Sequence, residues 1–200
     1  MIQQQFTDFS GERALGKIAP MESVLCFLCV GLLIGIAHGT ATFSDCGGAE
    51  KSMTIIAGSV KPDPIQYPGN LSMTIAFNVT KDLPASNFQM ALNLTKLNPR
   101  VMHVPCMEDI GSCTYDVCTM IQNHRSEFCP MFPNPDECGC PIKVGSYFMK
   151  DGFVAIPDFG QLFVKILQGN YEGTITFTDT SSNTQYGCIA IKFEITPSTM

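Results

Sequence analysis

The sequence has few basic residues and few histidines. Its 200 residues include 12 Lys and Arg, 18 Asp and Glu and only 3 His, so the formal net charge is −6. Proteins that bind nucleic acids neutralise phosphates with clusters of Lys and Arg, and this sequence contains no such cluster. It also lacks a glycine-rich phosphate loop and the Gly-x-Ser-x-Gly turn of many hydrolases. These absences argue against nucleic-acid binding, nucleotide binding and that class of hydrolase.

The histidines give little support for catalysis. A hydrolytic nucleophile needs a base, which is usually His. His103 stands in a predicted strand and His124 follows a predicted helix, and neither belongs to a catalytic motif. Acidic pairs at 108–109 and 136–137 lie in cysteine-rich loops, where we expect them to face water. We therefore predict no catalytic residues, no cofactor and no enzyme activity.

An apolar run near the N-terminus predicts export. Residues 24–37, VLCFLCVGLLIGIA, carry no charge, which fits a signal peptide, whereas a membrane span needs about 20 such residues. The small residue Gly39 predicts cleavage after that position, with Ala41 as the second choice and an uncleaved signal anchor as the alternative. Met21 is an alternative start. We interpret residues 1–39 as an N-terminal extension with a signal peptide and 40–200 as one domain.

The cysteines that follow this segment predict disulfides. An even number in an oxidising compartment indicates four bonds, although eight cysteines allow 105 pairings. A zinc site would need a Cys-x-x-Cys pair set against a second pair or histidines, and residues 40–200 contain no Cys-x-x-Cys, so we predict no metal. The eight residues are Cys46, Cys106, Cys113, Cys118, Cys129, Cys138, Cys140 and Cys188.

Alternating apolar and polar residues predict an all-β fold. In 70–80, NLSMTIAFNVT, the odd positions are apolar, and 87–97, NFQMALNLTKL, repeats the period of two that marks a strand with one buried face. The same alternation occurs in 171–178, YEGTITFT, and in 187–195, GCIAIKFEI. The polar segment 179–185 between these two predicts a hairpin.

Shorter segments complete the predicted secondary structure. Further strands are predicted at 53–60, 101–105, 145–149 and 153–156. One short helix is predicted within 114–123, TYDVCTMIQN, because two apolar residues there are four apart.

Three sequons agree with the strand faces. Asn70, Asn78 and Asn93 each begin an Asn-x-Ser/Thr motif and fall on the polar faces of their strands, where a glycan does not disturb packing. We therefore predict glycosylation at all three positions.

Long flexible or flat side chains dominate the predicted inward faces. Examples are Met73, Phe77, Met90, Phe177 and Phe193, in a sequence with 11 Met and 14 Phe. They fit either the filled core of a β-sandwich or a hollow that holds a lipid tail. The alternation alone does not distinguish these interpretations.

Several segments occur in the same order as in a known family. Together they resemble the ganglioside GM2 activators, lysosomal lipid-binding proteins related to the lipid-recognition (ML) domains. The resemblance covers about 43–195. The segments are DCG at 45–47, KPDPIQYPGNLS at 61–72, VPCMEDIGSCTYDVC at 104–118, CGCPIKVGSY at 138–147, IPD at 156–158, QGNY at 168–171 and GCIAI at 187–191.

The resemblance implies a β-cup, a two-sheet, sandwich-like fold with a large apolar cavity, one short helix and four disulfides. It implies the pairs Cys46–Cys188, Cys106–Cys113, Cys118–Cys140 and Cys129–Cys138. It further implies a carrier that lifts glycosphingolipid from membranes and presents it to a lysosomal glycosidase of the β-hexosaminidase type, in the lysosomal lumen or after secretion. The predicted lipid-cavity residues are Leu71, Met73, Ile75, Phe77, Met90, Leu92, Leu94, Phe153, Ile175, Phe177, Ile189, Ile191 and Phe193.

The chain departs from this family at the rim of the cup. The family places tryptophans on rim loops that touch membranes, whereas this sequence has no Trp. The apolar residues of the corresponding loops are the predicted membrane contacts, although LFVKIL at 162–167 also fits an ordinary buried segment. The predicted contacts are Val101, Met102, Phe163, Val164, Lys165, Ile166 and Leu167.

Two other functions remain open from the sequence. One is a secreted sterol or phospholipid carrier of the same fold without an enzyme partner. The other is a secreted structural or immune-recognition β-domain with a filled core.

Overall fold

Two β-sheets form the framework of the described part of the chain. The computed structural model describes residues 41–107, 109–156, 158 and 160–198, so the predicted signal peptide lies outside the described residues. The strands are β1 (Thr42–Asp45), β2 (Met53–Lys61), β3 (Ile65–Tyr67), β4 (Gly69–Val79), β5 (Phe88–Lys96), β6 (Met102–His103), β7 (Thr114–Asp116), β8 (Gly145–Ile156), β9 (Gly169–Asp179) and β10 (Thr184–Pro197). The large sheet has the order β1–β10–β9–β5–β6, with β3 beside β10 and β7 beside β5, and the small sheet has the order β2–β4–β8.

The apolar faces of the two sheets meet. In the large sheet Leu92 lies opposite Ile175, and Ile175 lies opposite Ile189. Directly opposed residues in an antiparallel pair point to the same face, so these side chains form one apolar surface. Ile55 and Ile75 of the small sheet pack against the cluster around Ile189. This arrangement confirms the predicted all-β, two-sheet fold.

The predicted strands are present with two differences. β9 and β10 form the expected antiparallel hairpin. The segment 101–105 contains only the two-residue strand β6, followed by a single bridge between Pro105 and Ser112. The predicted strands 145–149 and 153–156 are one continuous strand, β8.

A β-bulge explains why β8 was predicted as two strands. Met149 lies opposite Ile75 and Gly152 lies opposite Met73, so two residues of β8 face a single residue of β4. Asp151 adopts a φ of 52°, and its N–H donates to the Thr74 hydroxyl at 3.2 Å. An extra residue reverses the alternation of side chains beyond the bulge. The residues of β8 after the bulge therefore face opposite to the direction that simple alternation predicts.

Three α-helices occur in the described residues, whereas one was predicted. The predicted helix is α1 (Val117–Asn123), which begins at the N-cap Asp116, whose carboxylate accepts a hydrogen bond from the Thr119 N–H at 2.7 Å. The others are α2 (Arg125–Phe128) and α3 (Gln161–Leu167). Short 3-10 turns follow at Cys129–Met131 and Pro135–Glu137. None of these helices combines the length and apolarity that crossing a bilayer requires.

Disulfides brace one end of the two sheets. Phe77 stacks on Tyr147 at 5.0 Å between ring centroids, and both belong to a core cluster with Cys118, Cys129 and Cys138. The cluster lies where β4 ends and where β5 and β8 begin, and we call it the braced end. The disulfides among the described residues are Cys46–Cys188, Cys106–Cys113, Cys118–Cys140 and Cys129–Cys138, which are the pairs implied by the family resemblance.

Candidate functional site

An open cleft separates the small sheet from helices α1 and α2. Its volume is about 1390 Å³. One wall is β8, the edge strand of the small sheet, together with part of β4, and the other wall is β7, α1 and α2. The lining residues are Met73, Asp109, Tyr115, Asp116, Thr119, Met120, Asn123, His124, Ser126, Glu127, Phe128, Pro130, Phe148, Met149, Lys150, Gly152 and Phe153.

The sheet wall of the cleft is mainly apolar. Met73 and Met149 line it from neighbouring strands, and Phe148 and Phe153 border it. A Cβ atom at Gly152 would lie 2.5 Å from the Met149 sulfur, so the glycine leaves the space that this side chain occupies. Thioether side chains are flexible and polarisable. The wall can therefore adapt to apolar ligands of different shape.

The helix wall is mainly polar. Asp116, Thr119, Met120 and Asn123 line the cleft at the i, i+3, i+4 and i+7 spacing of one helix face. The opposite face, which includes Ile121, is buried in the braced end. Since Cys118 on that buried face is bonded to Cys140, the helix is covalently held with its polar face toward the cleft.

Acidic groups predominate among the charged residues of the cleft. Asp109, Asp116 and Glu127 face Lys150 across it, and His124 lies at the end of α1. The hydrogen bond from the Thr119 N–H lowers the pKa of Asp116, and the Ser126 hydroxyl lowers the pKa of Glu127.

Tyr115 also lines the cleft. Burial, and secondarily the charge of Asp109, raises the pKa of Tyr115. Its hydroxyl donates to the Asp109 carbonyl at 2.7 Å. This phenol is therefore a neutral hydrogen-bonding group next to the carboxylates.

A second apolar feature lies at the other end of the sheets, around α3. Leu162 is 69% exposed, Ile166 is 49% exposed, Val101 is 73% exposed and Met102 is 52% exposed. The two segments meet at Lys96, which lies opposite Met102 in the β5–β6 register and whose ammonium group donates to the Ile166 carbonyl. We call these four exposed apolar residues the α3 patch.

Two buried side chains hold α3 at this position. Lys96 is 6% exposed, and its desolvation lowers its pKa. Tyr171 donates from its hydroxyl to the Leu167 carbonyl at 2.6 Å, and burial raises the pKa of Tyr171 to about 12. The last carbonyls of a helix have no partner within the helix, and here the large sheet supplies two. The two patch residues on α3, Leu162 and Ile166, are thus carried on a helix whose last carbonyls are bonded to the large sheet.

Comparison with known proteins identifies the family of this β-structure. Residues 40–195 match the ML domain. The chain belongs to the ML-domain family. The ganglioside GM2 activator of Mus musculus is 27% identical over 159 residues, which cover 76% of this chain and 80% of that protein. The ganglioside GM2 activator of Macaca fascicularis is 28% identical over 161 residues, which cover 76% and 82%. These matches confirm the resemblance found in the sequence.

The solved structures include a Niemann-Pick type C2 protein from the Japanese carpenter ant. It has a TM-score of 0.44 and 13% identity, and it covers 77% of this chain and 98% of its own. The names of the two curated relatives describe activators rather than enzymes.

Few of the predicted lipid-cavity residues line the cleft. Met73 and Phe153 are the two that do. Phe153 lies opposite Ser72, on the polar face of β4, and is 63% exposed. The bulge in β8 is the cause, because it shifts the alternation by one residue.

Four predicted cavity residues belong to buried clusters. Phe77 is 8% exposed and belongs to the braced end, and Leu94, Ile189 and Ile191 form a second buried cluster. They are buried because the two sheets contact each other directly there. The remaining predicted cavity residues are half-buried: Leu71, Ile75, Met90, Leu92, Ile175, Phe177 and Phe193.

The predicted membrane contacts divide into exposed and half-buried residues. Val101, Met102, Lys165 and Ile166 are exposed, whereas Phe163, Val164 and Leu167 are half-buried. Positions 163, 164 and 167 have helical spacing, so the second group forms the inward side of α3. The segment LFVKIL therefore has an exposed side and a half-buried side. Leu162 belongs to the exposed side and was missed.

The remaining predicted positions lie on strands or in the helix wall. Asn70 and Asn93 are exposed, and Asn78 is half-buried and accepts a hydrogen bond from the Ser146 hydroxyl at 2.7 Å. His103 is exposed on β6, away from the cleft lining. Within the described part of the chain no three His, Cys, Asp or Glu residues are grouped so as to hold a metal ion.

Sequence reasoning missed the polar wall of the cleft. Asp116, Thr119 and Asn123 carry a signal that was available, since their spacing is that of one helix face opposite the apolar pair Val117 and Ile121. Glu127 and Lys150 carry no such signal. They reach the cleft only because α2 and β8 are brought together by the fold.

Proposed function

We propose that this ML domain binds a glycolipid, covers its acyl chains and leaves its sugar headgroup accessible to a soluble glycosidase. Membership of the ML family and similarity to ganglioside GM2 activators support lipid binding. The structural observation behind the proposal is the open cleft, which has an apolar wall on β4 and β8 and a polar wall on α1 and α2. An amphiphile needs both surfaces at once.

The size of the cleft supports a ligand larger than a small metabolite. Pockets for drug-sized ligands measure roughly 300–1,000 Å³, and this cleft measures about 1390 Å³. Each methylene removed from water contributes about 0.8 kcal/mol, so an acyl chain leaves a bilayer only for another apolar environment. Met73 and Met149, together with the half-buried residues between the sheets, supply that environment.

The α3 patch is the proposed membrane contact. Exposed apolar groups beside a cation favour the membrane interface, where the apolar groups enter the acyl boundary and the cation meets anionic headgroups. Leu162 and Ile166 flank Lys165 on α3, and Val101 and Met102 adjoin them through Lys96. This contact takes the place of the family's rim tryptophans, which the chain lacks.

The proposed place of action is the lysosomal lumen or the extracellular space, and the proposed enzyme partner is a glycosidase of the β-hexosaminidase type. Four disulfides suit an oxidising route to either place. We further propose that residues 1–39 contain a signal peptide and that Asn70, Asn78 and Asn93 carry glycans.

Native lipid identification tests the binding function. The protein is purified from the medium and lysosomes of expressing cells without detergent, extracted with organic solvent, and the extract is analysed by mass spectrometry. Glycosphingolipid is expected in equimolar amount. Sterol or phospholipid alone would favour the carrier without an enzyme partner, and the absence of bound lipid would favour a structural β-domain.

A second assay tests the enzyme partnership. Hydrolysis of a vesicle-embedded glycosphingolipid by purified β-hexosaminidase is measured with and without this protein, using a water-soluble substrate as the control. We expect faster hydrolysis of the embedded lipid only. Equal rates with and without the protein would refute the partnership but not lipid binding.

A further inference from the structure

We propose that the polar face of α1, with the adjoining Asp109 and Glu127, is a headgroup subsite that selects uncharged sugar headgroups over acidic ones. The proposal rests on the proposed function, because it assigns the headgroup of the lipid whose chains the apolar wall covers. A preference for uncharged headgroups is also not suggested by the names of the relatives.

The geometry places the subsite next to the apolar wall. Asp116, Thr119 and Asn123 project from one face of α1 into the same cleft that Met73 and Met149 line. A lipid whose chain lies along the methionines therefore has its headgroup beside the helix. The helix cannot easily turn away, since its other face is buried and bonded through Cys118–Cys140.

The functional groups of this wall match the hydroxyls of a sugar. Carboxylates accept hydrogen bonds, the Asn123 amide both donates and accepts, and the Thr119 hydroxyl does the same. Hydrogen bonds to ionised acceptors are stronger than those between neutral groups. Phe148 and Phe153 border the cleft with 52% and 63% of their surface exposed, and the apolar face of a sugar ring packs well on an aromatic ring.

The charges of the wall oppose an acidic headgroup. The charged residues among the described lining residues are mostly acidic. The carboxylates are those of Asp109, Asp116 and Glu127, and Lys150 on β8 is the lysine that lines the cleft. His124, at the end of α1, also lines it. Hydrogen bonds lower the pKa of both Asp116 and Glu127, so these two carboxylates stay ionised in mildly acidic compartments. A sialic acid at this position would therefore meet repulsion.

The test compares two probes with identical ceramides, fluorescent lactosylceramide and its sialylated derivative, in transfer from phosphatidylcholine vesicles. The variant Asp116→Asn/Glu127→Gln removes two charges and retains the N-cap, since Asn caps helices about as well as Asp. The control Glu50→Gln/Glu194→Gln removes two charges from residues that do not line the cleft. Circular dichroism and thermal unfolding verify that all forms are folded.

We expect the cleft variant to raise the ratio of sialylated to neutral lipid transferred by about fourfold, since each of the two carboxylates, several ångströms from the sialate, accounts for roughly a twofold repulsion in water. The change of this ratio in the control should be less than about half of the change in the cleft variant. Raising salt from 0.1 to 1 M shortens the screening length from about 10 to 3 Å and should raise the wild-type ratio but not that of the variant. Lys150→Gln should lower the ratio.

The outcomes separate the inference from the proposed function. Transfer of both lipids with a ratio that neither the cleft variant nor salt changes would overturn the headgroup subsite alone. Equal shifts in the cleft variant and the control would also overturn it, because net charge rather than the cleft would then set the preference. Failure to bind or transfer either lipid would overturn the proposed function, and the subsite with it.

Discussion

Replacing the two exposed apolar residues of α3 with Asp should weaken membrane binding strongly without unfolding the protein. Leu162 is 69% exposed and Ile166 is 49% exposed. Burying a whole Leu or Ile side chain contributes about 1.5–3 kcal/mol, so these exposed fractions contribute about 1–2 and about 0.7–1.5 kcal/mol if the patch is fully immersed. The sum corresponds to about a 20- to 300-fold loss of vesicle affinity.

Flotation of the protein with vesicles that contain anionic lipid measures this loss. The matched control is Ile56→Asp/Val144→Asp, because both residues are 59% exposed and lie outside the α3 patch, and the change in net charge is the same. We expect the control to bind as the wild type does. If the α3 variant and the control bind equally well, the α3 patch is not the membrane contact.

Three further predictions concern stability and pH. Lys96→Met removes the hydrogen bond to the Ile166 carbonyl and should lower the free energy of unfolding in urea by about 1–3 kcal/mol, whereas exposed Lys81→Met should not; equal midpoints would contradict the role of Lys96. Replacing the Cys46–Cys188 pair with Ala should lower the free energy of unfolding by about 5 kcal/mol, and replacing the Cys106–Cys113 pair should lower it by about 2 kcal/mol. The difference arises because the two bonds close loops of 142 and 7 residues. The reverse order in denaturant titration would refute this ranking. From residue 40 the chain has ten Lys and Arg and fifteen Asp and Glu, and model carboxylates titrate near pH 4. The negative charge that repels acidic lipids is therefore smaller at pH 4.5 than at pH 7, and lipid transfer should be faster at pH 4.5. Equal transfer rates at the two pH values would refute this prediction.

The strands and the first helix were predictable because their signals are local. The alternation in 70–80 and 87–97 survives in β4 and β5, since each of these strands has one face against the other sheet. For α1, the pair Val117 and Ile121 marks the buried side, and Asp116 before them is a standard N-cap. The disulfide pairing, in contrast, came from the family resemblance and not from spacing.

The bulge in β8 was not predictable from alternation. A period of two assigns each residue to a face by counting, and the insertion opposite Thr74 breaks the count. Phe153 lies opposite Ser72 for this reason. The helix α3 was missed because Leu162 and Ile166 are apolar yet exposed, so the segment does not show the separation into polar and apolar faces that identifies a surface helix.

The cleft itself depends on contacts between distant parts of the chain. Its apolar wall comes from β4 and β8, and its polar wall from residues 109–128. No local sequence pattern predicts that β8, at the edge of the small sheet, faces α1. The sequence therefore indicated an apolar interior and a lipid ligand but not the side on which the ligand enters.

The irregularity in β8 also bears on self-association. A twelve-residue edge strand beside exposed phenylalanines is a template for pairing with the strand of another copy. At Asp151 the backbone leaves the regular ladder and turns its N–H toward Thr74, and charged Lys150 stands next to it. The free backbone N–H and C=O groups of this edge are thereby divided into two short runs. The protein therefore exposes two phenylalanine side chains without presenting a continuous edge strand for aggregation.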